Sequence, residues 1–92
     1  MVYPKIIAVK PLKNYRLLAT FQNGVQKIYD CSPLLEKEAF HLLKNKAFFK
    51  AVRVDQGGYG ISWNDEIDLA EGELWVNGVA FEGDKLVSEG VV

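Results

Sequence analysis

The sequence predicts an α+β domain: a small antiparallel sheet of about four to five strands built on a β-hairpin, with one or two helices packed on one face. Three stretches predict it. YRLLATFQNGVQKIYD, residues 15–30, is two apolar-rich runs joined through Asn23-Gly24, a strong hairpin signal. Asp30-Cys31-Ser32-Pro33 opens a run of apolar residues at helical spacing. KAVRVD, residues 50–55, alternates apolar with polar, and a glycine-rich turn then leads into Ile61-Ser62-Trp63.

The first element is KIIAV, residues 5–9, a β-branched run that should lie beside the hairpin. Pro4 and Pro11 cannot donate to a ladder and are expected to frame it from outside. In the hairpin, a two-residue type I′ loop at Asn23-Gly24 pairs Gln22 with Val25, Phe21 with Gln26, Ala19 with Ile28 and Leu17 with Asp30. That register gathers Tyr15, Leu17, Ala19, Phe21 and Ile28 on the core face. It leaves Arg16, Leu18, Thr20, Lys27 and Tyr29 on the other.

Ser32 suits a helix N-cap and Pro33 the first helical position. Leu35, Ala39, Leu42 and Leu43 then form an apolar stripe with Phe40 at its margin. The stretch is open to a split near Glu36–Glu38 into a short turn and a longer helix, and Asn45 is a stop. Phe48-Phe49 should anchor the helix exit in the core. Gln56-Gly57-Gly58-Tyr59-Gly60 reads as the turn of a second hairpin, with Val52 and Val54 sharing one face. Asn64–Asp68 is an acidic loop. Asp68-Leu69-Ala70-Glu71 has capping-box spacing for a short helical turn. Asn77-Gly78 is open to two readings: an αL cap on that turn, or a third hairpin with Leu74–Val76 facing Val79–Phe81. Residues 1–84 are expected to form a single domain, with 85–92 as a flexible tail.

Length and composition narrow the function classes. Ninety-two residues make one domain with one modest core. The chain has one cysteine, which leaves no internal disulfide framework. It shows no long apolar run for a signal peptide or a bilayer span. A cytoplasmic location is the expectation, without a membrane role. Net charge is −1, but it is unevenly spread. Residues 1–50 hold nine Lys/Arg against three Asp/Glu, and residues 51–92 two against nine. Either the halves pack together and their charges partly neutralise, or a basic and an acidic face survive folding and favour a charged partner or self-association.

No catalytic, metal-binding or cofactor-binding constellation emerges. His41 and Cys31 are single residues, too few for a zinc site. Asp65, Glu66, Asp68 and Glu71 lack the order of a calcium loop. Cys31 near a helix start could be activated, but a buried, inert thiol is the plainer reading. Gln56–Gly60 is neither a dinucleotide fingerprint nor a phosphate loop. The basic residues are scattered over several elements, and Tyr15 and Phe21 are needed for packing, which disfavours direct nucleic-acid binding. No enzyme activity is expected. The candidate partner-binding residues are Arg16, Lys27 and Tyr29 on the hairpin's outer face, with Trp63, Asp65, Glu66, Asp68 and Trp75 around the acidic loop.

A series of landmarks resembles a known pattern: Ile6–Val9, Phe21-Gln22-Asn23-Gly24, Asp30 followed by Pro33-Leu34-Leu35, Phe40 with Leu43, Phe49, Val54-Asp55, Ile61-Ser62-Trp63, and Asp68-Leu69 with Leu74. Their order and spacing resemble the small bacterial domain-of-unknown-function family numbered 2442, over about residues 4–78. Its members often carry a glycine between the Trp and the Asp-Leu pair; Asn64-Asp65-Glu66-Ile67 has none. The resemblance implies a small α+β protein with no established catalytic residues. Some members are fused to a helix-turn-helix domain, which is not expected here, and others are suspected antitoxins of toxin–antitoxin pairs. The expected function is therefore a protein-interaction module, antitoxin-like, whose partner is a neighbouring gene product or a second copy in a homodimer. The alternatives are a small-ligand-binding or enzymatic domain using the acidic loop, and a self-assembling structural module.

Overall fold

The computed structural model describes residues 2–81. The α+β expectation holds, but the strands form two antiparallel sheets rather than one. In the first, β1 (Ile6–Leu12), β2 (Arg16–Phe21) and β3 (Gln26–Asp30) run as a meander, and β7 (Val79–Ala80) adds to the free edge of β3. In the second, β4 (Arg53–Val54), β5 (Gly60–Ser62) and β6 (Asp68–Ala70) form another meander. Two 3₁₀ helices, Ser32–Glu36 and Glu38–Lys44, and helix α1 (Lys46–Phe49) connect the sheets. Helix α2 (Glu71–Asn77) returns the chain to the first sheet. The sheets meet where the turn at Gly58 presses on β1: a Cβ there would lie 2.5 Å from the Ile6 carbonyl oxygen. That is backbone packing, not a ladder, so one continuous sheet does not form.

The hairpin is off the expected register by one residue. Leu17 faces Tyr29, Leu18 faces Ile28 and Ala19 faces Lys27. The loop is Gln22-Asn23-Gly24, closed by Gly24 N–H to the Phe21 carbonyl and Phe21 N–H to the Val25 carbonyl, both 2.9 Å. Gly24 alone takes the left-handed conformation, at φ 89°. Asn23 instead accepts the Val25 N–H on its side-chain oxygen at 3.1 Å. This is the three-residue turn with a glycine bulge, the competitor of the type I′ loop. The slip exchanges the faces of β3. Tyr29 enters the core, and Ile28 moves to the outer face, where it stays half-buried.

Pro11 lies inside β1, not outside it. β1 is an edge strand, and there a missing N–H costs nothing if it faces away from the partner. The helical stretch is split at Lys37, which is extended at ψ 135°. Its pieces are 3₁₀ helices, so residues three apart align. Phe40 and Leu43 therefore share the packed side, while Ala39 and Leu42 are exposed. The N-cap role expected of Ser32 passes to its neighbours: Cys31 is the cap, and Asp30 Oδ1 accepts the Ser32 N–H at 2.9 Å. Asn45 stops one helix and starts the next, its side chain accepting the Phe48 N–H at 3.0 Å.

The capping box does not form. Asp68 sits in β6 opposite Ser62, and Ala70 precedes α2 without a side-chain cap. Leu74–Val76 are helical, so the third hairpin is absent. The helix ends at Gly78 with φ −76°, not in an αL cap, and Gly78 N–H bonds the Leu74 carbonyl at 3.0 Å. The domain boundary at residue 84 and the tail at 85–92 lie outside the described residues. Ile6, Leu17, Phe21, Leu43, Ile61 and Leu74 are almost wholly buried and draw both sheets and the helices into one core.

Candidate functional site

The expected site residues separate into two groups, and neither converges on a reaction centre. On the hairpin, Lys27 shares the face of Ala19, the core side. Its ammonium lies 4.1 Å from the centre of the Trp75 ring and donates to the Trp75 carbonyl. Trp75 packs edge-on against Phe21 with centroids 5.0 Å apart. Tyr29 is 6% exposed, and its hydroxyl donates to Glu73 Oε2 at 2.7 Å. Burial first, and then this carboxylate, hold the phenol well above its ordinary pKa. Lys27, Tyr29, Glu73 and Trp75 thus form a clasp that ties α2 to β3. Tyr29 is not on an outer binding face, because the register shift turned it inward. Arg16 remains half-buried at the start of β2, its Nε donating to the Lys13 carbonyl at 3.3 Å.

Around the acidic loop, Trp63 is 4% exposed and belongs to the core. Its indole N–H donates to the Phe49 carbonyl at 2.9 Å, and the two rings stack at 6.1 Å. The loop is shaped by Asn64, whose Oδ1 accepts the N–H groups of Glu66 and Ile67, both at 2.8 Å. Ile67 is buried as its plug. Asp65, Glu66 and Asp68 are exposed. Among the described residues no cluster of His, Cys, Asp and Glu is placed to hold a metal ion.

Among the described residues, Cys31, Ser62 and His41 are further reactive groups. Cys31 is fully buried, and burial, with a smaller effect from Asp30, pushes its thiol up to about 12. Ser62 donates to Asp55 Oδ1 across the β4–β5 hairpin. His41 is exposed, with Nδ1 2.8 Å from the Glu38 carbonyl. Among the described residues no helix is long and apolar enough to cross a membrane.

Two surfaces escaped the sequence reading. The first is a row across the outer face of the four-stranded sheet: Lys10 opposite Leu18, Leu18 opposite Ile28, and Ile28 opposite Val79. Leu18 and Ile28 are half-buried and Val79 is 71% exposed. Polar rows flank it, Arg16 with Asp30 on one side and Thr20 with Gln26 on the other. A three-residue loop at Asn23-Gly24 would have revealed it. The second is an open groove at the β1–β2 connection, lined by Leu12, Lys13, Tyr15, Lys46, Phe49 and Lys50 among others. Its residues lie far apart in sequence, and no local pattern marks it.

No curated protein matches the chain, and no solved structure does. A family described as a protein of unknown function, DUF2442, matches residues 6–80, in agreement with the landmark series, and the chain belongs to that family.

Proposed function

We propose that this protein is a non-enzymatic interaction module that docks a protein partner on the outer face of its four-stranded sheet. The apolar row Leu18–Ile28–Val79 between polar rows carries the reading, because an apolar centre within a polar rim is the anatomy of a protein interface. The separate exposure of Asp65, Glu66 and Asp68 supports binding over catalysis. The partner of this reading is a small protein encoded beside it in a bacterial genome, with this chain as the antitoxin-like member of the pair in the cytoplasm.

Co-expression with the neighbouring gene product tests it. Copurification and rescue from any toxicity are expected for the native chain. Val79→Asp and Ile28→Lys should weaken capture at least about tenfold, as loss of an interface centre does. Capture that survives both substitutions would remove this face from consideration. A self-complex by light scattering, lost in the same variants, would make the partner a second copy.

A further inference from the structure

We infer that the groove beside the β1–β2 connection is a second binding site, one that accepts an acidic peptide segment bearing an apolar side chain. It has a volume of about 650 Å³. Leu12 and Tyr15 form apolar walls, buried Phe49 forms the floor, and exposed Lys13, Lys46 and Lys50 stand around it. Among the described residues no acidic side chain lines it. Among the described residues the one ion pair is Lys5–Glu71, so the three groove lysines pair with no carboxylate of those residues. Cations gathered without a counter-charge raise the local potential and attract an anionic partner.

The backbone under the groove is strained. Asn14 and Tyr15 are consecutive non-glycine residues in the left-handed region, at φ 63° and 59°. They are held there from several sides. Cys31 N–H donates to the Tyr15 carbonyl at 2.8 Å, and Ser32 Oγ to the Asn14 carbonyl at 3.4 Å. The Tyr15 hydroxyl donates to the Lys44 carbonyl at 2.6 Å. The result sets the Tyr15 ring edge-on to Phe49, 5.3 Å between centroids, as the groove wall. Over-determined strain of this kind gathers at ligand clamps and other functional sites.

The lining selects the partner chemistry. Lysines alone would suit any anion, but the apolar walls need an apolar side chain between the carboxylates. Single-stranded nucleic acid fits less well. The Tyr15 ring is packed against Phe49 and tied through its hydroxyl, so it is no open stacking platform. The net charge of −1 also works against a long polyanion. This site shares no residue with the Leu18–Ile28–Val79 row and stands independently of the sheet-face reading.

Fluorescence anisotropy with a labelled peptide Asp-Glu-Asp-Leu-Glu-Asp-Glu tests the proposal, alongside relatives in which amides replace the carboxylates or glycine replaces the leucine. Saturable binding is expected, falling at least about tenfold in either relative and in the combined Lys13→Glu, Lys46→Glu, Lys50→Glu variant. The combined Lys→Gln variant, checked for native circular dichroism, should also lose affinity. Lys37→Glu and Val79→Asp should bind as the native chain does. Absence of saturable binding, indifference to the leucine, equal loss in Lys37→Glu, or tighter binding of a single-stranded oligonucleotide would each overturn the proposal.

Discussion

Gly24 and Gly58 share a left-handed backbone, at φ 89° and 78°, but their surroundings differ. A Cβ on Gly24 meets open space, whereas one on Gly58 meets the Ile6 carbonyl oxygen at 2.5 Å. Gly24→Ala should therefore cost about 1–2 kcal/mol from backbone strain alone. Gly58→Ala should cost about 2–5 kcal/mol, because β1 and the β4–β5 turn must also separate. Urea unfolding of the two variants checks the difference. Cys31 supplies a pH test. Its thiol is raised from an ordinary 9.0 to about 12, by burial first. A pKa raised on folding gives stability that is complete below pH 9 and lost as pH climbs toward 12. Tyr29 acts in the same direction from its ordinary 10.0 upward. Stability should fall over that alkaline range by up to about 1.4 kcal/mol per pH unit for each group, and less steeply in Tyr29→Phe. The denaturation midpoint followed against pH reads this.

At the scale of elements, the 3₁₀ helices matter most. An α-helical reading puts Leu42 and Leu43 together on one stripe. The 3₁₀ period aligns Leu43 with Phe40 and leaves Leu42 43% exposed, while Leu43 is fully buried. Leu43→Ala should cost about 2–5 kcal/mol, and Leu42→Ala less than about 1 kcal/mol. Equal costs in thermal unfolding would restore the α-helical alignment. The hairpin makes a related point. Asn23-Gly24 correctly marks the turn but serves two loop lengths. The choice between them moved Tyr29 from the candidate site into the clasp with Glu73 and exposed the row containing Ile28.

For the whole molecule, the charge asymmetry of the sequence is little offset by ion pairs among the described residues. One ion pair, Lys5–Glu71, links the basic and acidic halves among the described residues. Lys13, Lys46 and Lys50 collect at the groove, and Asp65, Glu66 and Asp68 remain exposed on their loop. Partial neutralisation on packing was the simpler expectation, and among the described residues direct ion pairing is limited to the Lys5–Glu71 contact. The aromatic candidates went the other way: Trp63 stacks in the core, and Trp75 covers Phe21 beneath Lys27. Of the residues singled out for a partner, Arg16, Asp65, Glu66 and Asp68 retain accessible polar groups.

The sequence by itself determined the α+β class, the landmarks of its family, the turns at Asn23-Gly24 and Gln56–Gly60, and the helix entry at Pro33. Gly24, Pro33, Asn45 and Asn64 act through their own torsions or through hydrogen bonds two or three residues away, so their effect is local and legible. Only the tertiary structure decided the register of β3, the division into two sheets, the 3₁₀ geometry of the connector and the gathering of the groove lysines. A one-residue slip in a hairpin changes little locally. It is settled by whether Tyr29 or Ile28 better fills a core completed by Leu74, and by the hydrogen bond that Tyr29 donates to Glu73; both partners arrive more than forty residues later in the chain.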